Sequence, residues 1–261
     1  MAFNILILDP ARWRVWFAGA NNGTRLQVKQ WAAQEEADLC FNLTTFNMAN
    51  GRPDTFVRVG YKDLCYGHEG HTALVDLGGG YQCRGYSNGI VDGTVTVNRP
   101  MGGSRTRNGI GLTAAGHVII AQTGHKVTEK VFCQTVKAFV ERRGQKVKTF
   151  VLQDGGGSTA EYSSASRLNF APEGGRPVPT VVCVKRRDNM TLTRPIYQGC
   201  TGSDSELVQI LLGGIECDQA FGSGSVKRLK QAQAALGMPS ALCCGIASAY
   251  TARKMGLKST I

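Results

Sequence analysis

A chain of 261 residues has room for one large domain, or for a medium one beside a small one. Its hydrophobic fraction of 42% is that of a soluble globular protein with a real core, and its 33 glycines, which follow no collagen period, point to a turn-rich β protein rather than a helical bundle. The net charge of +11 favours a polyanionic partner: nucleic acid, an anionic membrane or a phosphate-bearing polymer.

The elements follow in chain order. Ile5–Leu8 and Trp13–Ala18 read as two short strands around Pro10, and Asn21-Asn22-Gly23 as a turn. The spacing predicts a helix over Thr24–Leu39, leading into a strand over Cys40–Phe46. Phe56–Val59 resumes β structure, and residues 61–99 read as a meander of short strands broken by glycine turns. Ile110–Leu112 and His117–Gln122 form a hairpin. Thr128–Arg143 is the clearest helix, with Thr128 as N-cap and Val131, Phe132, Thr135, Val136, Phe139 and Val140 at helical spacing. Thr149–Leu152 and Val178–Val184 are strands, and after Pro195 the composition changes to short helices and glycine turns. The expected architecture is therefore α+β: a mixed, β-rich domain over 1–195 with packed helices, then a small three-helix domain over 196–261.

Several features bound the chemistry. The densest basic cluster, Lys185-Arg186-Arg187, reads as a solvated strand end, so only net charge supports nucleic acid as a partner. No stretch approaches the roughly 18 apolar residues of a membrane span. The nine cysteines include no CxxC pair and read as buried thiols of a chain made in a reducing cytosol. The N-terminal run lacks the basic segment of a signal peptide, which gives the expectation of synthesis without one. His68-Glu-Gly-His71 lacks the i, i+4 spacing of helical zinc sites. No cofactor motif is present, and a divalent metal stays open.

The strongest local signal is Phe150–Thr159, where a strand delivers Asp154 and runs into Gly155-Gly156-Gly157-Ser158-Thr159. Three glycines let the backbone bend and turn amides toward an anion, and Ser158 and Thr159 add hydroxyls. The run suits a phosphate- or sugar-binding turn beside an acid; a plain tight turn fits it too.

Further motifs in order extend this signal: Phe41-Asn42 through Phe46, Arg107-Asn108-Gly109-Ile110-Gly111, Gln122-Thr123-Gly124-His125, the 128–143 helix, Leu152–Ser158, and Asn169-Phe-Ala-Pro172. Together they resemble the phosphodiester glycosidase family, whose pattern runs N-x-x-F-F, R-T-x-I-G, D-G-R, a helix, L-D-G-G-G-S and N-x-P. Thr45, Asn108, Thr123 and His125 depart from it, and residues 51–100 match none of it. The resemblance implies hydrolysis of a sugar-1-phosphodiester, with Asp154 in acid/base or electrostatic work and Arg107 clamping the phosphate. Asn42 and Asn169 would hold sugar hydroxyls. Gly155, Gly156, Ser158 and Thr159 would hold phosphate oxygens, and His125 would face the substrate as a neutral donor.

Gly199–Ile261 carries a second resemblance, to three-helix peptidoglycan-binding domains. It rests on Gly199, Gly202, Leu207–Leu212, Phe221-Gly222, Ser225, Leu229, Gln233, Leu236-Gly237, Gly245-Ile246 and Thr251. Ser225 is expected to cap the second helix. The two resemblances together imply a hydrolase of bacterial cell-wall glycan such as teichoic acid, reaching the wall after lysis or on a bacteriophage virion. The rivals are a non-catalytic wall-binding or tail-associated adhesin and, more distantly, a nucleic-acid-binding protein.

Overall fold

The computed structural model describes residues 3–65, 72–187 and 190–260. Two antiparallel sheets form its centre. The first has the spatial order β1 (Phe3–Leu8), β11 (Val118–Thr123), β10 (Asn108–Thr113), β12 (Val147–Gln153), β8 (Ser87–Val91), β9 (Thr94–Val95). The second runs β14 (Leu168–Phe170), β13 (Glu161–Ser163), β3 (Leu39–Asn42), β15 (Thr180–Arg186), β2 (Trp13–Gly19). A smaller sheet of β5 (Lys62–Cys65), β4 (Val57–Val59), β7 (Gln82–Cys83) and β6 (Val75–Asp76) takes up the expected meander. A parallel pair, β16 (Thr191–Leu192) with β17 (Lys258–Ser259), ties the two ends of the C-terminal part together.

Strand alternation divides the core into layers. Leu6, Leu8, Ile110, Ile120 and Val151 of the first sheet meet Trp13, Phe17, Leu39, Phe41, Val182 and Val184 of the second. The intervening residues of the first sheet, Ile5, Ile119, Ala121, Phe150 and Leu152, face outward and pack under α2 (Glu129–Arg142) through Phe132, Val136, Phe139 and Val140. On the far side, Trp16, Ala18, Cys40, Val181 and Cys183 pack under α1 (Val28–Gln34) through Val28, Trp31 and Ala32. Each central strand is apolar on both faces because each is covered on both. Mixed α+β architecture is thus what the chain adopts.

Local signals explain most boundaries. Thr128 caps α2, its hydroxyl accepting from the Val131 amide at 3.3 Å, as the sequence suggests. The first helix is much shorter than its expected 24–39 span. Leu26 is drawn into a bridge with Val178, a reciprocal Gln27–Gln30 box starts the helix, and Glu36 adopts a positive φ of 49° that ends it.

The C-terminal part holds α3 (Ser203–Leu212), α4 (Ser223–Ala235) and α5 (Ala249–Lys254). Leu207, Val208, Leu211, Phe221 and Leu229 join the same apolar cluster as the inter-sheet core. Two buried glutamines hold the turns that follow α3 and α4. Gln209 donates to the Ala220 carbonyl and accepts from the Gln219 amide; Gln233 donates to the Ile246 carbonyl and accepts from the Gly245 amide. The expected cap at Ser225 is corrected: Gly222 is the N-cap of α4, and Ser225 lies inside the first turn, where its hydroxyl accepts from Gln209 at 3.2 Å.

Candidate active site

The site forms where strands of the two large sheets end side by side. Asp154 follows the last residue of β12 and is held between sheets through its backbone. Its amide donates to the Leu43 carbonyl at 3.0 Å, and its carbonyl accepts from Asn42 Nδ2 at 2.7 Å. Its half-buried carboxyl is hydrogen-bonded to Ser158 and to the Gly155 amide. Loss of hydration outweighs those bonds and the nearby Arg176 charge, so its pKa is raised to about 6; Asp54 pushes in the same direction.

The glycine turn is built from the inside. Gly155 lies against the segment that enters β10, where an added Cβ would meet the Thr106 carbonyl at 2.5 Å, and Gly156 has a φ of +58°. The turn closes as a short 3-10 helix over Gly156–Ser158. Its amides are largely consumed: Gly156 donates to Thr106, Ser158 to Gly155 and Thr159 to Gly156. The Thr159 hydroxyl lies 3.0 Å from that of Thr106 and is fully buried. The turn therefore presents less of an anion-binding rim than its three glycines suggest; its polar groups mainly hold Asp154 in place.

Asn42 has the same character. Besides gripping Asp154, its Oδ1 accepts from Gln122 at 3.0 Å and from the Ala160 amide at 3.1 Å, and the residue is buried. It orients the acid and has no free face for a sugar hydroxyl.

Arg107 has its backbone against Gly155 but turns its side chain away from the glycine turn, and its expected role as phosphate clamp is corrected. Thr106 and Asn108 point to the inter-sheet side, supporting the turn and the Asn42 carbonyl. Alternation sends Arg107 to the α2 side. There its guanidinium donates to Glu129 at 2.8 Å, to the Gly103 carbonyl at 2.7 Å and to the Val127 carbonyl at 3.1 Å, with both ion-pair partners buried. His125 also lies on that side, its ring edge-on to Phe3 at 5.1 Å, and Phe3 stacks on Phe132 of α2. Asn169 sits exposed on the edge strand β14, its carbonyl accepting from Arg228. The structure thus brings together Asp154, Asn42, Gly155, Gly156, Ser158 and Thr159, and places the side chains of Arg107, His125 and Asn169 elsewhere. His68 and His71 fall outside the described residues, among which no group of three His, Cys, Asp or Glu is placed to hold a metal ion.

Two charged residues beside the turn, Arg176 and Asp54, were missed by the sequence reading. Arg176 reaches over the turn: its Nε donates to Ser158 Oγ at 2.7 Å, its amide bonds the Gly157 carbonyl, and its guanidinium lies 5.8 Å from the Phe46 ring. It is half-buried and makes no ion pair within 4 Å among the described residues. Arg25 flanks the same ring, also at 5.8 Å. Asp54 brings a second carboxylate near the first, positioned by its amide's bond to the Thr45 carbonyl. The signal for Arg176 was Gly174-Gly175-Arg176-Pro177, a glycine turn aiming an arginine just past Pro172.

The class of protein defined by this architecture is an α+β fold of two facing sheets, with an acidic glycine turn at their joint end. Among solved structures, the chain is similar to the catalytic domain of zebrafish N-acetylglucosamine-1-phosphodiester alpha-N-acetylglucosaminidase, auto-inhibited by its pro-peptide. The TM-score is 0.54 at 14% identity, over 71% of this chain and 83% of that one. It is also similar to a hypothetical protein from Synechocystis, with a TM-score of 0.57 at 10% identity, over 71% of this chain and 59% of that one. At these identities what is shared is the fold. No family model and no curated protein matches the chain.

Proposed function

We propose that the chain is a hydrolase of the phosphodiester glycosidase type, cleaving a sugar-1-phosphodiester at the anomeric C–O bond. The observation that carries this is the trio Asp154–Ser158–Arg176: a carboxyl with a pKa near 6 joined through one hydroxyl to a cation without an ion-pair partner. A fold like that of the zebrafish enzyme's catalytic domain supports the same reading. Arg176 takes the place given to Arg107 from the sequence. Its planar fork would pair with the non-bridging oxygens of the diester and stabilise the phosphomonoester as it departs. Asp154, protonated in part of the population at mildly acidic pH, would supply a proton to the leaving phosphate oxygen. Asp54, whose charge is felt at Asp154, is the second carboxylate and would accept a proton from the attacking water. The balance is that of a hydrolysis: water's oxygen bonds to the anomeric carbon as the C–O bond to phosphate breaks.

The finer proposal is a substrate in bacterial wall glycan such as teichoic acid, met through residues 196–261 acting as a wall-binding unit. It rests on the sequence resemblance of that segment alone, and so does action at the wall after lysis or on a virion. One observation favours the rival reading of a glycan-binding protein without turnover: the donors of the glycine turn are mostly spent inside the fold. Incubation with an N-acetylglucosamine-1-phosphodiester, reading the free sugar, separates the two. Release of free N-acetylglucosamine that Arg176→Ala abolishes supports the hydrolase; retention on purified walls without release supports the binding protein.

A further inference from the structure

Far from the glycine turn, a cavity of about 410 Å³ opens between the first sheet, the end of α2 and helix α3. That is the size of a small-ligand pocket. Gln145 on its wall precedes β12, whereas Asp154 follows it. At a rise of roughly 3.3 Å per residue, β12 alone separates the two places by about 20 Å.

The cavity gathers polar groups that the fold leaves unsatisfied. Arg12, half-buried in the turn between β1 and β2, has a guanidinium with neither hydrogen bond nor ion pair among the described residues. Trp13 is 3% exposed, and its indole N–H has no partner there either, unlike those of Trp16 and Trp31. Gln145 Nε2 lies 3.0 Å from His117 Nδ1, within hydrogen-bond distance, while Gln145 Oε1 is buried without a partner. Asp9 uses one carboxylate oxygen on the Ala11 amide at 2.8 Å and keeps the other. By contrast Arg143 is fixed by Glu206 at 2.9 Å, so these two form a wall.

Gln145 Oε1, buried without a partner, is costly to leave so, and the unpaired Arg12 guanidinium, Trp13 N–H and Asp9 oxygen line the same ligand-sized space. A free guanidinium calls for an anion. Donors and acceptors mixed at the same wall call for hydroxyl groups, which serve as both. We propose that this cavity is a second ligand site, for an acidic sugar: a hydroxyl-bearing ring carrying one carboxylate or phosphate, its charge on Arg12 and its hydroxyls on Asp9, Gln145 and His117.

Titration calorimetry on the full chain tests this, with glucuronic acid and glucose 6-phosphate as probes and glucose as the neutral control. Which of the two acidic probes binds tells carboxylate from phosphate. At least one is expected to bind, with glucose weaker by about tenfold or more, the value of a charge-assisted hydrogen bond. Arg12→Gln is expected to remove that preference, and it leaves the fold intact because the side chain it replaces has no partner. His117→Ala is expected to weaken both acidic probes, and Asp154→Asn to change neither. Absence of binding by both acidic sugars at millimolar concentration, glucose binding as tightly as they do, unaltered binding by Arg12→Gln, or loss of binding in Asp154→Asn would each overturn the proposal.

Discussion

Arg107 and Arg176 look alike in sequence, each an arginine beside a glycine-containing motif, and their removal should have opposite consequences. Arg107 is 2% exposed and Glu129, its partner at 2.8 Å, is 3% exposed. Arg107→Ala leaves Glu129 as a buried charge without its cation, and frees the Gly103 and Val127 carbonyls that anchor the segment before α2. Breaking a buried pair in this way costs about 3–5 kcal/mol. For a chain of this size that lowers the unfolding midpoint by roughly 6–10 °C. Arg176 is half-buried and bonds one side-chain oxygen, so Arg176→Ala should cost about 1 kcal/mol and shift the midpoint by only about 2 °C. Differential scanning calorimetry of both variants, with hydrolysis measured below the transition, makes the comparison. The expected pattern is a destabilised Arg107→Ala that turns over when folded, and a stable Arg176→Ala that does not. An Arg107→Ala variant as stable as the parent but unable to bind a phosphodiester would refute the assignment of Arg107 to the scaffold.

Other expectations are as specific. Glu161 is buried between Asn4 and the Gly214 amide, and burial raises its pKa to about 7 despite the nearby Arg228. The folded state keeps this proton where the unfolded chain loses it, so the contribution is full below about pH 4.5 and is lost as pH rises through 7, on the order of 3 kcal/mol. Glu161→Gln should flatten the fall in stability between pH 5 and 8 in denaturant titrations; an unchanged slope would contradict it. Gly155→Ala should lose about 1–3 kcal/mol, because its Cβ would strike the Thr106 carbonyl, and should impair turnover by moving Asp154. Parent-like melting and turnover would count against that packing. Cys244 is exposed, whereas Cys40, Cys83, Cys133 and Cys217 are buried with raised pKa values. A thiol reagent should therefore modify Cys244 quickly in the native protein and the buried four only on unfolding, as peptide mapping would show.

What the sequence revealed, and what it concealed, follows from the range of each signal. Helix α2 was legible because its cap and apolar stripe are local, and β12 because a β-branched run ends at an acid and glycines. Helix α1 was overextended because the Leu26–Val178 bridge that shortens it is a tertiary contact. The family-like order of motifs led to Asp154 and Asn42, yet Asn42 proved to hold the acid rather than the sugar. Alternation along Thr106-Arg107-Asn108 could have turned Arg107 away from the turn, had the side facing α2 been known. Arg176 comes from a loop after β14 that folds back over the turn; its Gly-Gly-Arg-Pro run marks a bend but not where the chain returns.

The most direct measurement is the rate at which the chain and its Asp154→Asn variant release free N-acetylglucosamine from an N-acetylglucosamine-1-phosphodiester between pH 4 and 8. The parent should turn over with a limb near pH 6, set by Asp154, and the variant should be slower by about a hundredfold or more. Equal rates for the two proteins, or no turnover by a folded parent at any pH, would contradict a catalytic role for Asp154.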